Sequence, residues 1–152
     1  FGGHDFAAGM TLPIENIQPF QKKFEEVVSQ TITDDMLIPK IEIDSLLDLD
    51  KVSWKFFNII QRMAPFGPHN MQPLFMAENV YLVSPPRLLK DLHLKLRVKQ
   101  NKLAFDCIGF NMPDYFPLLE HDKPFSICFH IDENVYNGKS TLQFRLKDVL
   151  VE

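Results

Sequence analysis

The sequence is short of cysteine, and its two cysteines, Cys107 and Cys128, follow no Cys-x-x-Cys spacing. So few cysteines in 152 residues provide no disulfide framework, which excludes a small disulfide-stapled secreted domain and favours a reducing compartment. No apolar run approaches the ~20 residues that cross a bilayer, and no signal peptide is visible. We therefore expect a cytoplasmic protein with no membrane partner.

Recognisable catalytic motifs are absent as well. The sequence contains no HExxH, GxSxG, P-loop or GxGxxG pattern, and no two of its five histidines lie three or four residues apart. The adjacent acid pairs Asp34–Asp35 and Asp132–Glu133 suit solvated turns, because neighbouring side chains on a regular element point apart. Three histidines are predicted to be surface or turn residues: His69, His121 and His130. No complete catalytic site and no metal site are expected.

The composition that remains is globular, with an uneven distribution of charge. Hydrophobic residues make up 45% of the chain, and 14 phenylalanines against one tryptophan predict a Phe-rich core. A formal net charge of −4 excludes a uniformly basic nucleic-acid-binding protein. Residues 1–64 carry ten acids and six bases, whereas residues 65–152 carry ten of each, so any basic patch must be local.

Residues 1–64 are predicted to form a partial α/β segment with two helices and short strands. Apolar side chains at helical spacing follow Pro13 and predict a helix over residues 14–30. The alternation in "KIEIDSLLDL" predicts a strand, and Ser53 is a suitable N-cap for a second helix that reaches Ala64. Because the chain begins without an initiator methionine, we interpret it as a piece of a longer protein.

A connection rich in proline and glycine, residues 65–76, is predicted to link two domains, 1–64 and 77–152. Beyond it the hydrophobic period becomes two in five strand candidates: "NVYLV", "HLKLRVKQ", "KLAFDCIGFN", "PFSICFHID" and "STLQFRLKDV". Asn137-Gly138 predicts a hairpin turn between the last two. Because closure removes exposed edges, the predicted fold class is α+β, with a five-stranded barrel of the oligonucleotide-binding (OB) type.

Two of these strands place a basic stripe opposite their apolar face. The candidate nucleic-acid-binding residues are His93, Lys95, Arg97 and Lys99 on one strand, and Gln143, Arg145 and Lys147 on the other. A basic groove with stacking aromatics binds single-stranded nucleic acid, and the candidate aromatics are Tyr81, Tyr115, Phe116 and Tyr136. Alternation alone favours the plainer interpretation that these cations form a solvated surface.

The opening stretch "FGGHDFAAGM" contains a further candidate. Gly2 and Gly3 carry no Cβ, so their backbone can adopt a positive φ and lie close to another group. His4 is then presented at a turn instead of packed in a core. The small residues Ala7, Ala8 and Gly9 leave room for a backbone or a ligand to approach. The stretch is typical of one side of a site whose other parts lie elsewhere.

Read in order, six segments resemble the C-terminal part of the RecJ family, bacterial single-stranded-DNA-specific 5′→3′ exonucleases of the DHH phosphoesterase superfamily. The segments are "GGHDFAAGMTL", "ENIQPFQKKFEEVV", "RMAPFGPHNMQPLF", "HLKLRV", "FDCIGFN" and "ENVYNGKSTLQFRLKDV". The resemblance implies that residues 1–64 end the DHH-associated domain and that residues 77–152 form an OB domain. It also implies that Gly2, Gly3 and His4 bind the substrate phosphate.

The resemblance also implies partners and a cofactor. The catalytic DHH domain, which is not found in this sequence, would hold Mn²⁺ or Mg²⁺ and pack against this region. The chain alone is expected to be inactive, to hold no cofactor and to bind single-stranded DNA for repair and recombination. Single-stranded-DNA-binding protein is a further expected partner.

The sequence is also compatible with two other functions. An OB-type barrel is equally suited to docking on the catalytic core or on another repair protein, and the neutral balance of residues 65–152 supports that alternative. The chain could instead belong to a DHH phosphodiesterase that acts on short oligonucleotides or cyclic dinucleotides. Against this second alternative, very short substrates need no extended groove.

Overall fold

The computed structural model of the chain describes residues 2–4 and 7–151. These residues divide into two compact units, of which the first ends at Ile41 and the second begins at Glu42. The division lies earlier than the predicted boundary at residues 64/65. The physical reason is the packing of residues 42–64 into the core of the second unit.

The N-terminal unit consists of a short hairpin followed by helices. Strands β1 (Gly2–His4) and β2 (Ala7–Gly9) are antiparallel, and a 3₁₀ turn (Ile14–Asn16) leads into α1 (Ile17–Thr31) and α2 (Asp34–Leu37). The helix predicted over residues 14–30 is thereby confirmed. Pro19 is the third residue of α1, where its missing N–H has no partner to lose.

The C-terminal unit contains the main sheet. Its elements are β3 (Ser45–Leu46), a 3₁₀ turn (Leu49–Lys51), α3 (Trp54–Gln61), β4 (Phe75–Leu82), β5 (Arg87–Leu89), β6 (His93–Gln100), β7 (Leu103–Gly109), a 3₁₀ helix (Pro113–Leu118), β8 (Phe125–Tyr136) and β9 (Lys139–Val151). The strand order is β3-β4-β8-β9-β7-β6-β5, and β4 also pairs with β6. The strands β4, β8, β9, β7 and β6 therefore form a ring of pairings, which makes the sheet barrel-like.

The five predicted strands are the five members of this ring, so the α+β class with a barrel-like sheet is confirmed. In β6 the side chains alternate strictly, with Leu94, Leu96 and Val98 buried and the intervening cations exposed. The predicted hairpin is confirmed too: Tyr136 pairs with Lys139, and Asn137 and Gly138 both have positive φ, at 48° and 72°. This conformation favours asparagine and glycine in a two-residue turn.

The core of the C-terminal unit includes residues from the segment before the ring. Leu49, Val52, Phe57 and Ile60 are buried in the same cluster as the strand side chains. The backbone N–H of Asp44 donates to the carbonyl of Leu74, 2.9 Å away. Residues 42–64 thus belong by packing to the C-terminal unit, because their apolar side chains are covered by its strands.

Two local predictions in this segment had different outcomes. Ser53 caps α3 as predicted, since its side chain accepts a hydrogen bond from the N–H of Phe56 at 3.2 Å. The strand predicted in "KIEIDSLLDL" is wrong for most of its length, because only Ser45 and Leu46 pair with the sheet. Ile41 and Ile43 remain exposed, so their alternation with charge does not mark a buried strand face.

Both cysteines are free, Cys107 buried and Cys128 half-buried. Burial raises the pKa of each thiol, so neither is a ready nucleophile. None of the helices in the described ranges has the length and apolarity needed to cross a membrane.

Candidate nucleic-acid interface

The candidate interface is the outer face of β6, β7 and β9, here called the outer face. It is made by the side chains that alternate with the buried core residues on these strands. Its polar and charged members are Lys95, Arg97 and Lys99 from β6, Asp106 from β7, and Gln143, Arg145 and Lys147 from β9. The ring thus places the two strands with predicted basic stripes, β6 and β9, on either side of β7.

The strand register sets which of these side chains are neighbours. Lys95 pairs with Ile108 on β7, and Ile108 pairs with Arg145 on β9. On its other side Lys95 pairs with Arg87 of β5. Arg87 could not be predicted from the sequence, because its three-residue strand has no recognisable periodicity and only the register brings it beside Lys95.

An acidic residue divides the outer face. Arg97 pairs with Asp106 and Asp106 with Gln143 in the strand register. The Nη1 of Arg97 lies 3.5 Å from the Oδ1 of Asp106, and both side chains are about half exposed. Part of the β6 stripe is therefore neutralised by β7, and the residue pattern of a single strand cannot predict such a pairing between strands.

Arg145 is held in a polar network on β8 and β9. Its Nε donates to Oδ2 of Asp132 at 2.7 Å, and its Nη2 donates to Oε1 of Gln72, also at 2.7 Å. Gln72 in turn donates from Nε2 to Oδ1 of Asp132 at 3.3 Å. Because two of its donor groups are engaged internally, Arg145 is better fixed but less free for a phosphate than the sequence alone suggests.

His130 lies beneath this network and is buried, so its prediction as a surface or turn residue is wrong. Its Nδ1 lies 2.8 Å from the carbonyl oxygen of Pro73, and a carbonyl can only accept, so Nδ1 carries the proton. Burial is the main cause that lowers the pKa of His130, and the nearby Arg145 and Lys147 charges add to it. The local reason is the Gln72–Pro73 segment, which covers this part of β8.

An aromatic groove lies at the end of the outer face where β7 finishes. It has a volume of about 420 Å³ and is lined in part by Phe110, Tyr115, Arg145 and Lys147. Phe110 is 54% exposed and packs edge-on against His93, with ring centroids 5.3 Å apart. The Nδ1 of His93 accepts a hydrogen bond from the N–H of Asn111 at 3.2 Å, which fixes the histidine ring. Phe110 was absent from the aromatic candidates, although the period of two in "FDCIGF" places it on this face.

The four predicted aromatics have different surroundings. Tyr115 lines the aromatic groove, and its hydroxyl donates to Oδ1 of Asp148 at 2.6 Å, a bond that raises the pKa of Tyr115 to about 12. Tyr81 pairs with Lys99 in the strand register and is partly exposed. Phe116 lies in the 3₁₀ helix after β7, and Tyr136 lies at the tip of the β8–β9 hairpin. Tyr81 and Tyr115 thus border the outer face.

Four cations near the outer face make no ion pair within the described part of the chain. They are Arg87, Lys95, Lys99 and Lys147. Surface cations and exposed aromatic side chains, here Phe110 and Tyr81, are the two components that single-stranded nucleic acid requires, one for phosphates and one for bases. The arrangement can therefore bind a polyanion whose bases are unstacked.

The predicted phosphate-binding residues Gly2, Gly3 and His4 form strand β1 of the N-terminal unit. Gly3 pairs with Ala8, and a Cβ on Gly3 would lie 3.1 Å from the carbonyl oxygen of Ala7 and from the Cβ of Ala8. Close approach of the paired strand, and not a positive φ, therefore favours glycine at position 3, whereas a Cβ on Gly2 would meet nothing within 4 Å. His4 is exposed, and its role in phosphate binding stays a prediction.

The described residues contain no group of three or more His, Cys, Asp or Glu side chains arranged to hold a metal ion. The adjacent acids Asp34 and Asp35 lie in α2, where Asp35 forms an exposed ion pair with Lys40. Asp132 is committed to Arg145. The described residues therefore do not fit a catalytic metal centre.

Comparison with known proteins identifies a family for most of the chain. The model of the RecJ OB domain family matches residues 43–148. The RecJ single-stranded-DNA-specific exonuclease of Bacillus subtilis (strain 168) is 27% identical over 152 residues, covering 99% of this chain and 19% of that protein. The same enzyme of Escherichia coli (strain K12) is 24% identical over 151 residues and covers 98% of this chain. The chain spans 19–26% of the length of these two relatives.

Solved structures share the fold. RecJ from Thermus thermophilus in complex with Mn²⁺ has a TM-score of 0.76 at 20% identity, covering 99% of this chain and 22% of that one. Its complex with Mg²⁺ has a TM-score of 0.70 at 17% identity and covers 93% of this chain and 21% of that one. At such identities the likeness establishes the fold alone.

Proposed function

Because this chain belongs to the RecJ OB domain family, we propose that it is the single-stranded-DNA-binding C-terminal region of a RecJ-like exonuclease. The observation that carries the proposal is a set of cations near the exposed Phe110 that make no ion pair among the residues the structure describes: Arg87, Lys95 and Lys147. Binding, and not catalysis, is the activity of this region. In this proposal the DNA-binding unit starts near Glu42, earlier than the boundary at residues 64/65 that the sequence predicted.

The outer face suits single strands better than duplexes for a physical reason. Lysine and arginine side chains attract the phosphate backbone of either form, with an affinity that falls as salt rises. Only a single strand exposes base faces that can stack on Phe110 or Tyr81. The exposed aromatics therefore supply the preference, whereas the cations supply most of the affinity.

The N-terminal unit has a different role in the proposal. Gly2, Gly3 and His4 would face the substrate phosphate in the whole enzyme, which cleaves phosphodiester bonds in DNA repair and recombination. That enzyme would work in the cytoplasm, with Mn²⁺ or Mg²⁺ held by its DHH catalytic domain. This domain and single-stranded-DNA-binding protein are the proposed protein partners.

The test of DNA binding is fluorescence anisotropy of the 152-residue chain with labelled DNA. We expect tighter binding to a single strand than to a blunt duplex of the same length, with an affinity that falls steeply between low and moderate salt. No binding at low salt would contradict the proposal. Equal affinity for single-stranded and duplex DNA would contradict the proposed stacking of bases on Phe110 or Tyr81.

A second test addresses His4 in the whole nuclease. Replacing His4 by alanine is expected to slow strand cleavage by about one to two orders of magnitude, because a group that stabilises developing phosphoryl charge is lost. The same substitution should leave DNA binding by this chain unchanged. Equal cleavage rates for the His4→Ala and parent enzymes would make His4 a structural residue.

A protein-docking function is the second candidate. It is favoured by the Arg97–Asp106 and Arg145–Asp132 pairs, since a face with both charges is typical of a protein interface. Docking on the catalytic domain predicts that the chain has no measurable affinity for DNA even at low salt, whereas DNA binding predicts an affinity that falls as salt rises. The low-salt measurement of the anisotropy experiment therefore separates the two functions.

A further inference from the structure

A second groove, here called the Trp54 groove, lies at the other end of the outer face, beside helix α3. It has a volume of about 490 Å³, within the ~300–1,000 Å³ of small-ligand sites. Val52, Ser53 and Trp54 form one wall, Arg97 and residues 104–106 contribute from β6 and β7, and residues 140–142 of β9 complete the lining. The groove thus shares Arg97 and Asp106 with the outer face and continues it.

Trp54, the single tryptophan of the chain, is held on this groove by a well-fixed segment. It is 42% exposed and packs edge-on against the buried Phe57, with ring centroids 5.8 Å apart. Its neighbour Ser53 caps α3, and Val52 is buried. The N–H of Leu49 donates to Oε1 of Gln100 at 2.8 Å, which ties the segment to the end of β6. An aromatic surface fixed in this way loses little entropy when a ligand stacks on it.

The charges of the groove suit an uncharged flat ligand. Its lining contains one cation and one anion, Arg97 and Asp106, whose Nη1 and Oδ1 lie 3.5 Å apart, so the groove carries no net formal charge. Lys99 lies at its edge, since it pairs with Ala104 of the groove lining and makes no ion pair in the ranges described. A nucleobase in the groove would therefore have a cation close by for the phosphate that follows it.

We propose that the Trp54 groove is a base-stacking subsite, in which an unpaired base of single-stranded DNA stacks on the indole while Lys99 contacts the adjacent phosphate. The inference rests on the proposed DNA-binding function and extends it to residues outside the OB strands. With the aromatic groove at one end and the Trp54 groove at the other, the inference places the path of the bound strand along the outer face.

The single tryptophan allows the subsite to be tested in the unaltered protein. We would titrate the 152-residue chain with a single-stranded oligothymidylate and with an abasic strand of the same length, and record tryptophan emission. Stacking on the indole should quench Trp54 with the base-bearing strand and leave it unquenched with the abasic strand. The abasic strand should still bind through its phosphates, which the anisotropy of an end label reports.

Variants give an independent measure. Trp54→Ala should weaken binding of the oligothymidylate by about tenfold, and Trp54→Phe should retain most of the affinity, because stacking needs an aromatic ring. Neither change should alter the affinity for the abasic strand. Phe24→Ala is the matched control, since Phe24 is an exposed aromatic on α1 that does not line the groove.

The outcomes distinguish failure of the base-stacking subsite from failure of DNA binding as a whole. Binding of the oligothymidylate without quenching, or equal quenching by the abasic strand, overturns the subsite and leaves DNA binding intact. Binding of neither strand at low salt overturns both. If Trp54→Ala fails to fold by circular dichroism, quenching in the parent chain and the affinity of Trp54→Phe still decide between stacking and its absence.

Discussion

The two units of the chain differ in how far they bury their own apolar side chains. The C-terminal unit surrounds Phe129 and Phe144 completely, whereas in the described residues before Glu42 only Leu12 and Val28 are even half-buried. Helix α1 nevertheless carries an apolar stripe of Ile17, Phe20, Phe24 and Val27. A helix with such a stripe is stable when another element covers it. The C-terminal unit therefore has the means to fold by itself, whereas the N-terminal unit depends on further packing.

The largest expected effect comes from cutting the chain at the two alternative boundaries. A chain that starts at residue 42 should keep its fold. A chain that starts at residue 65 loses four buried residues, Leu49, Val52, Phe57 and Ile60. At roughly 1.5–3 kcal/mol for each buried side chain, this loss is comparable to the whole stability of a small domain. Circular dichroism with urea unfolding would measure both, and a cooperative transition in the shorter chain would contradict the boundary at Glu42.

A single phenylalanine substitution in each unit should give the next largest effect. Phe144 is stacked between Phe105 and Phe129, with ring centroids 4.6 and 4.1 Å away. Phe144→Ala is expected to lower the free energy of unfolding by about 3–5 kcal/mol. Phe24→Ala, at a site 58% exposed, should change it by less than about 0.5 kcal/mol. Urea unfolding followed by far-UV circular dichroism, which reports both units, measures the two changes, and similar losses would contradict the exposed position of Phe24.

Charge reversal in each unit tests which one contacts DNA. Lys95→Glu should weaken binding of single strands of any sequence several-fold and reduce the slope of log affinity against log salt by about 0.7, because one phosphate contact is lost. Lys22→Glu changes the charge of the chain equally, on α1. It should leave the slope unchanged in the anisotropy assay. An equal change of affinity and slope for both substitutions would show that binding depends only on the net charge of the chain.

The smallest effect concerns pH and His130. Because burial lowers the pKa of His130 in the folded state, its contribution to stability is complete above the ordinary histidine pKa of about 6.5 and is lost as pH falls below that value. The urea midpoint of the parent should therefore fall more between pH 7 and pH 5 than that of His130→Gln. Identical falls would show that carboxylates alone cause the acid sensitivity.

Elements of the C-terminal unit could be predicted from the sequence where a pattern of neighbouring residues defines them. Strict alternation located β6, and Asn137-Gly138 located the turn between β8 and β9. Two of the strongest features of the outer face were not readable in this way. The Arg97–Asp106 and Arg145–Asp132 pairs depend on which strands lie side by side, and the parallel pairing of β7 with β9 follows from no local pattern. Trp54 was missed as a site residue because an aromatic at helical spacing predicts a core position.

The order of the strands also has a kinetic consequence. Strands β8 and β9 are joined by a two-residue turn and pair along their whole length, so their hairpin should form within microseconds. The parallel pairing of β7 with β9 closes a much longer loop, and the entropy of that closure is lost before its contacts form. We expect the hairpin to act as the template on which the ring is completed, so that substitutions at Gly138 slow folding while substitutions in β7 mainly speed unfolding.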